Sequence, residues 1–153
     1  RAGEFLFGKL AIFYSYGVVK EKISISTPSE DICLCLSPQG RFAALSSTSE
    51  VIIHNINSSS KHPNNKIIIK LNDLPTDEKV ISMHFSEDEN YIIIVTNRGL
   101  LRIYDTKGTL LYQKDYAVIL THAQKFNTSL YFILRNGEIY RISLDLELIK
   151  EAR

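Results

Sequence analysis

The sequence repeats itself, and the repeat leaves few folds open. "GKLAIFYSYG", Gly8 to Gly17, matches "GLLRIYDTKG", Gly99 to Gly108, without a gap: Gly8 falls on Gly99, Leu10 on Leu101, Ile12 on Ile103, Phe13 on Tyr104 and Gly17 on Gly108. Between these copies, "DICLCLSPQGRFAALSSTSEVIIHNI", Asp31 to Ile56, pairs with "KVISMHFSEDENYIIIVTNRGLLRIYD", Lys79 to Asp105, when Ser37 is set on Ser86. Ile32, Leu34 and Leu36 then fall on Ile81, Met83 and Phe85, Phe42 falls on Tyr91, and one extra residue near Arg98 keeps the following strands in step. A third copy, "SLYFILRNGEIYRISL" from Ser129 to Leu144, repeats the turn with Asn136-Gly137 and the strand with Ile139 to Ile142.

Each unit reads as an alternating strand, a polar turn, a second apolar strand, a tight turn and a third strand, with a fourth following as in Leu110 to Lys114. Four short strands recurring every ~40 to 50 residues mark a β-propeller blade. Period-2 alternation is expected to set Ile81, Met83 and Phe85 against one neighbouring sheet and to turn Ser82 and His84 to the other side. Ile92, Ile93 and Ile94 are apolar on both faces, as a strand between two blades must be. Helical periodicity is convincing nowhere; "LDLELIKEAR" at the end fits a last strand or a short helix equally.

The expected fold is therefore all-β: a partial propeller of about three to four blades, each a four-stranded antiparallel sheet. Residues 1–26 would end one blade, 30–74 form a second with its loop, 78–116 a third, and 117–150 a shorter fourth. Residues 1–153 would thus belong to one propeller domain excerpted from a longer chain and completed by further blades, since a blade depends on its neighbours for a core.

At these residues the chain resembles the WD40-like propellers. "NRGLLRIYD" looks like that family's turn and strand ending in Trp-Asp, with Tyr104-Asp105 in place of the name-giving pair, and "FSEDENYIIIV" looks like its paired strands. The chain has no Trp and no Gly-His pair before a blade, so the buried His-to-Asp network of regular members is not expected. The run from Asp31 to Tyr112 is similar to the N-terminal propellers of tethering subunits of the neuroblastoma-amplified-sequence and class C vacuolar-sorting kinds. The resemblance implies a scaffold that holds proteins together.

Composition narrows the partners. Eighteen Lys and Arg against seventeen Asp and Glu leave a formal charge of +1, with no basic block to neutralise phosphates, which argues against nucleic acid. The apolar runs, such as Tyr91 to Val95, fall far short of the ~20 residues of a membrane-spanning helix. Lys9 interrupts the aromatic stretch near the start, and neither a basic lead nor a cleavage site flanks it, so no secretory signal is read there.

Candidate chemistry is sparse. Cys33 and Cys35 are the only cysteines, and a C-x-C spacing on a strand puts both on one face about 7 Å apart at Cα, which disfavours a mutual disulfide. His54, His62, His84 and His122 show no metal-ligand spacing, no glycine run makes a phosphate loop, and no serine sits in a nucleophile elbow, so no catalytic residue, cofactor or metal is expected. Glu87-Asp88-Glu89 and Asp77-Glu78 read as solvated turn acids. Asn57-Ser58-Ser59 and Asn127-Thr128-Ser129 match glycosylation sequons and are taken as loop residues.

One irregular insertion remains, "NINSSSKHPNNKI", Asn55 to Ile67. It carries the candidate protein-binding residues Lys61, His62, Asn64, Asn65 and Lys66, because exposed loops on a rigid scaffold carry binding more often than cores do. The functional expectation is a non-catalytic protein–protein interaction scaffold: a propeller segment of a larger cytoplasmic subunit, in vesicle tethering or membrane trafficking, associated with endomembranes through protein partners. A ciliary, cytoskeletal or kinetochore scaffold is the alternative of the same class. A propeller enzyme with a central-channel site, built on residues such as Asp31, His84 and Arg135, is the alternative of another.

Overall fold

The computed structural model describes residues 32–47, 49–56 and 66–144 with their side chains, and the backbone of the strands over 2–7, 10–15 and 18–24. Every regular element among them is a strand: β1 (Ala2–Phe7), β2 (Leu10–Ser15), β3 (Val18–Ser24), β4 (Leu34–Leu36), β5 (Phe42–Ser46), β6 (Glu50–Asn55), β7 (Lys66–Lys70), β8 (Val80–Phe85), β9 (Tyr91–Thr96), β10 (Leu100–Asp105), β11 (Leu110–Asp115), β12 (Leu120–Phe126), β13 (Ser129–Leu134) and β14 (Ile139–Ser143). They form four antiparallel sheets in chain order, β1–β3, β4–β7, β8–β11 and β12–β14, the middle two of four strands and the outer two of three. This is the all-β, blade-by-blade architecture that the repeat implies.

The repeated turns explain why the units fold alike. Ser37 Oγ accepts the Phe42 N–H at 2.9 Å, and Ser86 Oγ accepts the Tyr91 N–H at 3.1 Å. Around them the backbone bonds are the same: Ser37 N to Phe42 O and Gly40 N to Ser37 O in one turn, Ser86 N to Tyr91 O and Glu89 N to Ser86 O in the other. A serine side chain that captures a backbone N–H closes such a turn locally, which is why the serines set the register of the two copies. Asp105, which stands where a Trp-Asp pair would end, does the same work further on, its Oδ1 accepting the Lys107 and Thr109 N–H groups, both at 2.9 Å.

The sheets stack face to face on two apolar layers. Ala44, Val51, Ile53 and Ile69 of the second sheet meet Val80, Met83, Phe85, Ile92, Ile94 and Tyr104 of the third. The other face of the third sheet, Tyr91, Ile93, Val95, Leu101 and Ile103, meets Leu120, Ala123, Leu130, Phe132 and Leu134 of the fourth. All six residues of β9 are buried, so the triplet Ile92–Ile94 does serve both layers, each side chain contributing about 2–3 kcal/mol of apolar burial.

One expectation about β8 is corrected. Val80, Met83 and Phe85 share the face toward the second sheet, while Ile81 packs into the layer on the opposite side. The cause is a register shift between Val80 and Ser82, where two residues of β8 advance against one of β9. A bulge of this kind moves one side chain to the other face, and period-2 counting cannot see it.

Neighbouring sheets also meet through their first strands: β4 borders β8, β8 borders β12, and β1 borders β4. The match of Gly8–Gly17 to Gly99–Gly108 sets β2 on the third strand β10, and in the structure β2 is the middle strand of β1–β3.

Candidate interaction surface

Up-and-down strands send their connections to two ends of the stack. One end gathers the turns 37–41, 86–90, 105–109 and 127–128; Thr106 N to Asn90 O joins two of them, and Ile56 N to Arg41 O and Leu144 N to Thr128 O fasten the other two to the residues that follow β6 and β14. The insertion Asn55–Ile67 leaves the same end, since β6 finishes and β7 starts there. Of its candidate residues, Lys61, His62, Asn64 and Asn65 lie outside the described residues. Lys66 opens β7, exposed, with its backbone paired to His54. It also helps hold the His54 pKa down, after burial as the larger cause.

The turn acids at this end divide. Glu87 is exposed and pairs with Lys125 of the next sheet at 3.1 Å, and Asp88 accepts the Ser86 hydroxyl at 2.7 Å and the Asn90 N–H at 3.1 Å. Glu89, expected to be solvated, is 1% exposed. It occupies the left-handed position, φ 60, that Gly40 holds at φ 73 in the preceding sheet. From there its Oε2 accepts the N–H groups of Gln39 at 3.3 Å and Arg41 at 3.4 Å, and the Arg41 guanidinium lies 3.9 Å from Oε1. The side chain thus ties the turn of one blade to the turn of the next. Oε1 itself has no hydrogen-bond partner. Between the third and fourth sheets the turn is shorter and carries Asn127 at φ 55. The space left is a hollow of about 230 Å³ whose walls are largely apolar, with Ile93 and Leu144 among its lining and Ser86, Glu87, Asp88, Lys125, Asn127 and Thr128 around them.

At the opposite end, the linker between β7 and β8 is fastened by the other acid pair. Asp77 pairs with Arg98, and Glu78 Oε1 accepts the Thr96 hydroxyl at 2.7 Å. Asp73 pairs with Arg102, which lowers the Asp73 pKa and raises that of Arg102, mainly through their hydrogen bond. These acids hold linkers to strands, a role that appears only when a linker folds back over a turn.

Of the residues named for a central-channel site, His84 and Arg135 do not come together. His84 lies near the turn end of β8, Arg135 lies beyond β13 at the opposite end, and Asp31 is outside the described residues. Among the described residues no group of three or more His, Cys, Asp or Glu is placed to hold a metal, and no helix is long and apolar enough to cross a membrane. Cys33 and Cys35 are thiols half-buried against the first apolar layer, the Cys33 Sγ donating to Val80 O at 3.3 Å.

His84 carries the clearest electrostatic signature. Its Nε2 lies 2.8 Å from Ser82 Oγ, and burial first, then Lys125 and His122 across on β12, push its pKa from 6.5 to about 4. Lys125 is itself paired with Glu87. With the folded pKa below the unfolded one, the unfolded chain binds the extra proton, so the stability present above pH 6.5 is lost as pH falls toward about 4. We expect about 2 kcal/mol of loss across that window, allowing for partial exposure, and a visibly flatter profile for His84→Gln in urea melts. Equal slopes for the two proteins would remove His84 as the cause.

No protein-family pattern and no curated protein sequence matches the chain. Solved structures do. The WD40 domain of SCAP from fission yeast superposes with a TM-score of 0.64 at 15% identity, over 89% of this chain and 37% of that one. Hsv2 from Kluyveromyces lactis gives 0.59 at 11% identity, over 97% and 50%. A chain of the mitotic checkpoint complex gives 0.55 at 20% identity, over 71% and 31%. The shared feature is the β-propeller fold, and the chain spans half or less of each of these chains' length.

Proposed function

We propose that this chain is a propeller segment of a larger, non-catalytic scaffold that assembles protein subunits in the cytoplasm, at endomembranes, in vesicle tethering or membrane trafficking. The observation that carries the reading is the division of labour in the fold: the strands are spent on packing between sheets, while the polar chemistry lies in turns, loops and linkers at the ends of the stack. A rigid stack that presents polar loops is suited to holding partners. The partners are other protein subunits, and endomembrane association runs through them. The propeller neighbours, one of them from a protein complex, agree with an interaction role, and the tethering address rests on the likeness of Asp31–Tyr112 to tethering subunits.

The test combines capture with fractionation. The tagged chain is expected to co-purify subunits of one assembly, to lose them on charge reversal of the exposed turn residues Arg41 and Glu87, and to sediment with endomembranes in a salt-releasable form. Capture indifferent to both reversals would end the end-face reading. A purely cytosolic distribution would end the tethering address.

A further inference from the structure

The β9–β10 and β13–β14 turns are built alike, with Gly99 N bonded to Thr96 O at 3.1 Å in one and Gly137 N to Leu134 O at 3.0 Å in the other. They carry the same two residues in opposite order, Asn97-Arg98 before Gly99 and Arg135-Asn136 before Gly137. Asn136 is thereby the one asparagine of the chain that directly precedes a glycine. The order changes what the carboxamide can do. Asn97 fastens the linker before β8: its Oδ1 accepts the Lys79 N–H at 2.9 Å, its Nδ2 donates to Asp77 O at 3.3 Å, and the nitrogen that follows it carries the Arg98 side chain. Asn136 is exposed and folds over its own turn, Oδ1 accepting the Glu138 N–H at 3.0 Å. A side chain bonded in this way closes a ring that contains the next nitrogen, so Cγ stays beside the Gly137 N, and glycine puts no Cβ in its path.

We propose that Asn136-Gly137 is a site of spontaneous imide formation, a covalent modification that needs water alone as co-reactant and rewrites the β13–β14 turn. The Gly137 nitrogen attacks Asn136 Cγ: the N–Cγ bond forms, the Cγ–Nδ2 bond breaks, and the proton of the Gly137 N–H leaves with Nδ2 as ammonia. A five-membered imide remains, and water opens it at either carbonyl. Addition at Cγ breaks the new bond and leaves an ordinary aspartyl residue. Addition at the main-chain carbonyl carbon breaks the original peptide bond, and the chain then runs through Cγ as a β-aspartyl linkage. Ammonia has been exchanged for water, with nothing oxidised or reduced. Both products place a carboxylate two residues from Glu138, and the β-aspartyl form adds a methylene to the main chain of the turn. The longer main chain cannot keep both Gly137 N on Leu134 O and Leu134 N on Glu138 O, now 2.8 Å apart, in one register. The turn is a slow, one-way loosening point of the β13–β14 pair, and its chemistry is independent of the tethering address.

The chain is held in warm, mildly alkaline buffer and mapped by peptide mass spectrometry, with fragmentation that separates aspartyl from β-aspartyl residues. Asn136 is expected to convert at least about tenfold faster than Asn97, with both linkages in the product and weaker hydrogen-exchange protection at Leu134 and Glu138. Asn136→Gln, which would need a six-membered ring, should lose the conversion and the loosening together, its strand content being checked by circular dichroism. The free peptide LRNGEIY sets the reference rate. An Asn136 that stays intact after the peptide has converted would overturn the proposal, as would equal conversion of Asn97 or a product without the β-aspartyl form.

Discussion

Replacing Gly99 by alanine is expected to lower the unfolding free energy by about 3 kcal/mol, against about 1 kcal/mol for the same change at Gly137. The backbone cost is common to both, because φ of 83 and 92 are conformations that an L side chain adopts only under strain. The difference is the neighbour. At Gly99 the new Cβ would press on the Val118 backbone at 2.9 and 3.1 Å, so the strap between β11 and β12 must shift as a whole, while at Gly137 no atom of the described residues lies within 4 Å. Urea melts of both variants measure the contrast. Equal losses would mean that the strap yields freely and contributes little to the joint between the third and fourth sheets.

Ile93→Ala is expected to cost about 4 kcal/mol, and Ile93→Val about 1 kcal/mol. Ile93 is fully buried, paired to Ile103 on one side and His84 on the other, and it faces Phe132 and Leu130 in the layer between the third and fourth sheets. Truncation leaves a cavity between two rigid sheets that cannot close on it, so the loss should sit at the upper end of the usual range. A loss near that of an exposed position such as Ile68, 43% exposed on β7, would show that the fourth sheet is not packed on the third in solution.

Much of this architecture is legible in the residues. The apolar run Tyr91–Val95 is buried on both faces, and the Ser37 and Ser86 turns share one hydrogen-bond pattern, because local alternation and a serine-closed turn depend on residues a few positions apart. The fold class follows from those local rules repeated four times. The candidate loop is legible only as an insertion: Lys66 can be placed at the start of β7, and Lys61, His62, Asn64 and Asn65 fall outside the described residues.

The tertiary structure decided what depends on contacts between units. Ile81 changes faces because a bulge against β9 displaces it. Glu89 is buried because the turn of the preceding blade presents two N–H groups to it across 48 and 50 positions of chain. Asp73 and Asp77 become linker fasteners only when that linker comes to lie beside Arg102 and Arg98. Gly99 and Gly137 have the same turn in sequence and opposite surroundings in space. Strand pattern and turn closure are short-range properties that a single copy of the repeat contains. Burial of a charge and coverage of a glycine are set by the neighbouring blade, whose position no single copy records.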